Sequence, residues 1–115
     1  MRPPPADPPL ADAAHTVPGR LLFAVSHPSR PAKVLGFDQD IIKIGRNANC
    51  HLVLDDESVS RMHAVVESRD QAKWIIDLGS STGTLVNGKK INKAKLSAGD
   101  KIRIGAFELV VGIRE

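Results

Sequence analysis

The sequence has one cysteine, no tyrosine, one tryptophan and three phenylalanines in 115 residues. A lone cysteine makes no internal disulfide, so the chain is not a small disulfide-stapled scaffold and must be held by packing. Aromatic residues at 3% are too sparse for the stacking platforms on which single-strand nucleic-acid binders hold bases, which makes nucleic acid an unlikely partner. No apolar run approaches the roughly 20 residues that span a bilayer. The N-terminus also lacks the basic stretch followed by an apolar one that directs secretion. The expectation is a cytoplasmic protein without a membrane partner. Charge of neither sign dominates: the net charge of +3 tolerates an anionic ligand but speaks to association, not to fold. No window of twelve residues carries a 3.6-residue apolar period, so no helix is expected.

What the chain does have is a proline-rich start and a series of short alternating runs. Six of the eight prolines precede Gly19, and such a stretch buries too little apolar surface to offset the entropy of ordering it. Residues 1–19 therefore read as a disordered tail or linker, and residues 20–115 as one folded domain. Thr16, the only threonine of that tail, is a candidate for phosphorylation, although an unmodified exposed threonine is the plainer reading. A domain of this length buries roughly 65% of the surface its unfolded chain exposes.

Within the domain, Leu21–Val25 reads as a strand, and Lys33–Phe37 with Ile41–Ile44 as a hairpin across Asp38-Gln39-Asp40. Leu52–Leu54 is a brief strand. Ala64–Ser68 and Lys73–Leu78 flank Arg69–Ala72 as a second hairpin. Leu85-Val86 and Lys89–Ile91 flank Asn87-Gly88, the pair favoured where a two-residue turn needs positive φ. Lys101–Ile104 alternates apolar and basic residues, and Phe107–Ile113 closes the chain. About ten short strands with regular turn signals indicate an all-β sandwich or barrel.

Three loop segments interrupt these runs: Gly45-Arg46, Ser58–His63, and Gly79–Gly88. A β framework presents such loops at strand ends, where binding residues are commonly carried. Between them they hold arginines, hydroxyls, an amide and glycines, an inventory suited to an oxyanion with several equivalent oxygens. No nucleophile with its base stands out, so the site is expected to hold phosphate and leave it unchanged. Taken alone, Arg46 would read as a solvated surface arginine; its company of Ser60, Arg61 and Ser81 points to binding. Gly45 and Gly88 read as turn glycines, Asn87 as a turn residue, His63 as a loop brace, Cys50 as a small core residue and Trp74 as core or sheet packing.

In this order and spacing, Gly45-Arg46, Ser60-Arg61-Met62-His63, and Asp77 through the Gly/Ser/Thr loop to Asn87-Gly88 resemble a forkhead-associated (FHA) domain, over about Leu21 to Ile113. The resemblance implies a β-sandwich of about eleven strands that binds phosphothreonine peptides through loops at one end, in Ser/Thr-kinase signalling and without catalysis. The implied partner is a phosphothreonine-containing protein or peptide, either a Ser/Thr kinase or its substrate. By the same resemblance Arg46 grips the phosphate, Ser60 and Ser81 donate hydroxyls to it, and Arg61 adds a phosphate or peptide contact. His63, Gly83 and the Asn87-Gly88 turn shape the loops. Thr82 stands where the family commonly has an asparagine that holds the peptide backbone. A phosphorylated Thr16 could also occupy the site from within the same chain.

Other readings stay open. One is an FHA-like domain that binds a protein partner independently of phosphate; another is a basic β-domain touching nucleic acid through Lys89, Lys90, Lys93, Lys95, Lys101 and Arg103. Enzyme readings fit poorly. Gly83–Lys89 has the spacing of a P-loop, but Lys90 stands at the Ser/Thr position and no helix follows. Ser60, His63 and Asp77 are the residue types of a hydrolase triad without a nucleophile elbow. His51 and His63 are too isolated for zinc. No cofactor, metal or catalytic residue is expected.

Overall fold

A computed structural model describes residues 17–114. Eleven strands follow one another: β1 Leu21–His27, β2 Arg30–Phe37, β3 Ile41–Gly45, β4 Leu52–Val53, β5 Ala64–Arg69, β6 Ala72–Asp77, β7 Thr84–Val86, β8 Lys89–Ile91, β9 Lys93–Leu96, β10 Lys101–Ile104 and β11 Phe107–Ile113. Among the described residues there is no helix, and hence none long and apolar enough to cross a membrane. The strands form a six-stranded sheet ordered β2-β1-β11-β10-β7-β8 and a five-stranded sheet ordered β4-β3-β5-β6-β9.

The two sheets are held together by the period-two side of each strand. Leu21, Phe23 and Val25 of β1, Ile102 and Ile104 of β10, and Leu109 and Val111 of β11 share one core with Ile42, Ile44, Ala64, Val66 and Ile75 of the other sheet. Burying each large aliphatic or aromatic side chain here contributes about 1.5–3 kcal/mol relative to leaving it exposed. Leu54 and Val59 belong to the same core although they lie outside the strands. Their burial fixes the loop that carries Ser58 to His63 to the rigid part of the molecule.

Sequence pattern and structure part company at β2. The expected hairpin of Lys33–Phe37 with Ile41–Ile44 does not exist: β2 pairs with β1, and β3 pairs with β4 and β5 in the other sheet. Asp38-Gln39-Asp40 is a crossing between sheets, and the true hairpin turns at Pro28-Ser29. Local alternation specifies which face of a strand is buried, but not which neighbour it pairs with. The second hairpin, β5–β6, forms as expected, yet its strands run to Arg69 and from Ala72, leaving a two-residue turn at Asp70 (φ 52°) and Gln71 (φ 65°). Asn87 (φ 52°) and Gly88 (φ 83°) make the tight β7–β8 turn.

Registers define the two ends of the sandwich. Ile104 pairs with Phe107 and Thr84, and Ser26 with Glu108, at one end. Leu21 pairs with Phe37 and Ile113 at the other. At this second end the Arg20 carbonyl accepts the Arg114 amide at 2.7 Å, and the Val17 carbonyl accepts Arg114 Nη2 at 2.8 Å.

Candidate functional site

The three loops singled out in the sequence meet at the Thr84 end. The His63 amide donates to the Ile44 carbonyl at 2.9 Å, the Arg46 amide to the Ser60 carbonyl at 3.0 Å, and the Asn47 amide to the Arg61 carbonyl at 3.2 Å. These bonds continue the β3–β5 ladder past the end of β3 and bring the Arg46 and Ser60 loops into register. Gly45 belongs to this seam, and it is not a turn glycine. It lies in β3, and a Cβ there would stand 2.1 Å from the Arg61 carbonyl oxygen, so any side chain would push the two loops apart.

The Gly/Ser/Thr loop is laced onto the same seam. The Ser81 amide donates to Ser60 Oγ at 3.1 Å, and Thr82 Oγ1 donates to the Ser58 carbonyl at 2.9 Å. Because Ser60 Oγ accepts from Ser81, its own proton points elsewhere and is available to an oxyanion. Arg46 donates through Nε to the Val59 carbonyl at 3.1 Å, which fixes the guanidinium plane while the residue stays exposed. Among the described residues neither Arg46 nor Arg61 forms an ion pair. Two uncompensated arginines thus lie on the same seam as Ser60, Ser81 and Thr82.

His63 supplies the brace. Its ring is fully buried; Nδ1 accepts the Ser60 amide at 3.1 Å, and Nε2 lies 2.9 Å from the Gly83 carbonyl. A ring nitrogen that accepts an N–H carries no proton, so the proton sits on Nε2 and is donated to Gly83. One imidazole therefore ties the Ser60 loop to the Gly83 loop.

Asp77, read in the sequence as the start of a motif and as a member of a discarded triad, organises the third loop. Its carboxylate accepts Gly79 and Ser80 amides at 3.0 and 3.1 Å, the Ser80 hydroxyl, and the Thr84 hydroxyl at 2.7 Å. Burial opposes its charged form, but the Ser80 and Thr84 hydroxyls and the Ser80 and Gly79 amides outweigh it and hold the carboxyl below its ordinary value. Ser80 Oγ in turn accepts the Gly83 amide at 3.0 Å. The signal was an Asp two residues ahead of a Gly/Ser run, the setting in which a carboxylate caps the turn that follows it. Asp56 plays the matching part behind Ser58. Its pKa is lowered to about 2, first by the Ser58 hydroxyl and amide and then, against a smaller effect of burial, by His27.

Asn87 takes no part in the Arg46–Ser60–Ser81 seam. It clamps the start of β10, accepting the Lys101 amide and donating to Asp100, both at 3.0 Å. No hydrolase triad assembles. His63 Nδ1 is taken by the Ser60 backbone, while Asp77 faces Ser80 and Thr84. Burial pushes the Cys50 thiol up, away from a reactive thiolate. Trp74 is half-buried on the outer side of its sheet, not in the core.

Thr16, the phosphorylation candidate that could supply a ligand from within the same chain, lies outside the described residues.

The sequence model of the FHA domain matches residues 42–105, which contain Arg46, the His63 brace and the Asp77 loop. The chain belongs to the FHA domain family. It is 36% identical over 93 residues to the glycogen accumulation regulator GarA of Mycobacterium tuberculosis, covering 81% of this chain and 57% of that protein. It is 38% identical over 104 residues to the oxoglutarate dehydrogenase inhibitor of Corynebacterium efficiens, covering 89% of this chain and 72% of that protein. This FHA chain thus spans little more than half the length of GarA. Among solved structures, one from a study of phosphothreonine-dependent FHA domain interactions superposes with a TM-score of 0.72 at 28% identity, over 83% of this chain and 97% of the other.

Proposed function

We propose that this FHA domain is a non-catalytic module that captures phosphothreonine on a protein partner in Ser/Thr-kinase signalling, and that it works in the cytoplasm. The observation that carries the reading is the seam joining Arg46, Ser60 and Ser81. One bond from the Arg46 amide to the Ser60 carbonyl and one from the Ser81 amide to Ser60 Oγ tie together three residues distant in sequence, which supports a common rim for a guanidinium and two hydroxyls. A dianionic phosphate there would take forked donors from Arg46, a further charge from Arg61 and short bonds from the hydroxyls. Set against the cost of ordering a flexible peptide, a few charge-assisted bonds give micromolar affinity, on the order of 8 kcal/mol.

The partner is a Ser/Thr kinase or one of its substrates. The names of the two relatives, a regulator and an enzyme inhibitor, accord with a domain that acts by holding another protein. Titration calorimetry with one threonine peptide, with and without its phosphate, tests the reading. Micromolar binding of the phosphorylated form alone is expected, and equal binding of both forms would overturn it. A phosphate-independent protein contact is the second reading, favoured by the engagement of Thr82 Oγ1 with Ser58 in place of a free peptide-holding group.

A further inference from the structure

We infer that the outer face of the β4-β3-β5-β6-β9 sheet is a docking surface for an acidic segment of the same protein whose phosphothreonine enters the loop site. The inference rests on the phosphothreonine reading for its partner and adds a second contact.

Strand period places Ile41 and Lys43 of β3, Val65 and Glu67 of β5, Trp74 and Ile76 of β6, and Lys93 and Lys95 of β9 on this face, since Ile42, Ile44, Ala64, Val66 and Ile75 point into the core. Two of the large hydrophobic residues left exposed among the described residues belong to this face or continue it: Ile41 is 50% exposed, and Leu78, which follows Trp74 and Ile76 at period two, is 44% exposed. Met62 lies instead against Cys50, and Val53, on the edge strand β4, lines a cleft with Arg30, Pro31 and Phe107. An apolar surface rimmed by charge, on a protein otherwise sparing with exposed hydrophobics, is the mark of a contact face.

The face also holds the chain's single tryptophan, with Lys93 Nζ 5.2 Å from the ring centroid. Tryptophan is enriched among the residues that dominate interface energies. Charge selects the occupant. Lys43, Lys93 and Lys95 are exposed on the face, against the one half-buried carboxylate of Glu67. An acidic segment is complementary to it, and a second copy of the same face is repelled.

Continuity with the loop site comes through β6. Trp74, Ile76 and Leu78 follow at period two, and Leu78 leads directly into Gly79–Ser81, the loop whose Ser81 amide binds Ser60 Oγ. A partner anchored at the loop site therefore meets the start of this strip where Leu78 enters the Gly79–Ser81 loop. Binding there raises the effective concentration of the second contact without changing the first.

The test uses the full chain and two synthetic probes: a phosphothreonine octapeptide, and the same peptide extended by about 12 residues of alternating Glu and Leu, long enough to cross the sheet. Affinity is read by calorimetry and occupancy of the face by Trp74 fluorescence. The extended probe is expected to bind about tenfold tighter at low salt and to shift Trp74 emission, which the octapeptide leaves unchanged. Lys43→Glu with Lys93→Glu abolishes the gain and leaves octapeptide affinity as it was. Equal affinity of the two probes with unmoved Trp74 emission overturns the inference, as does a gain that survives charge reversal or a concentration-dependent dimer lost in Trp74→Lys. If the octapeptide fails to bind while the extended probe still engages Trp74, the docking face stands and the phosphothreonine reading falls.

Discussion

The Thr82 hydroxyl donates to the Ser58 carbonyl at 2.9 Å, across 24 residues of sequence. Its proton is thereby committed to the protein. Where the family resemblance implies an asparagine that holds the peptide main chain, this chain has a loop tie that can accept from a peptide but not donate to it. Recognition should then depend heavily on the phosphate and little on the peptide backbone. Calorimetry with phosphothreonine peptides whose flanking residues are replaced one by one is expected to give affinities within about twofold of one another. In Thr82→Asn, regained backbone bonds should spread them by up to about tenfold. Thr82→Val should lower stability by about 1 kcal/mol, read in urea melts, by removing the tie.

His63→Ala should be the most damaging substitution at the site. It empties a buried ring volume and leaves the Ser60 amide and Gly83 carbonyl without their partner, at a cost of about 3 kcal/mol. Chemical denaturation measures the loss. Because both loops lose their common tie, phosphopeptide affinity measured under conditions where the variant is folded should fall as well, although His63 itself touches no ligand.

Stability should decline in acid through the carboxylates that cap the loops. The Asp56 pKa falls from 3.8 unfolded to about 2 folded. A depressed carboxylate contributes fully above its unfolded value and loses that contribution as pH drops toward its folded one. Asp77 shifts in the same direction. Denaturant midpoints should change little through these groups above about pH 5 and fall between about pH 4 and 2. Asp56→Asn should start less stable at neutral pH and show a shallower acid limb.

Much of this site could be read from the sequence because it depends on residue chemistry that tolerates few alternatives. Asn87-Gly88 announces a turn with two positive φ angles, and loops set at the ends of alternating runs announce that the Arg46, Ser60 and Ser81 segments can meet at one end of a sandwich. Pairing was less legible. Nothing in Lys33–Phe37 distinguishes β1 from β3 as its neighbour, because both partners satisfy the same alternation. Asp70-Gln71 hid a two-residue turn, since glutamine seldom takes the left-handed conformation and the flanking Arg69 and Ala72 carry no strand signal. Gly45 looked like a turn glycine, and its true constraint, the Arg61 carbonyl beside it, comes from a segment 16 residues away. Asp77 was visible as a residue but not as a hub, because its four donors are defined only once the loop folds back on it.

Whether Arg46, Ser60 and Ser81 act together on one phosphate can be read in a single series of titrations: one phosphothreonine peptide against the native chain, Arg46→Ala, Ser60→Ala and the double variant. Each single change should cost at least about tenfold in affinity, with the double variant losing less than the sum because both groups hold the same anion. Losses that add in full would contradict a shared cradle, and unchanged affinity in Arg46→Ala would contradict the site itself.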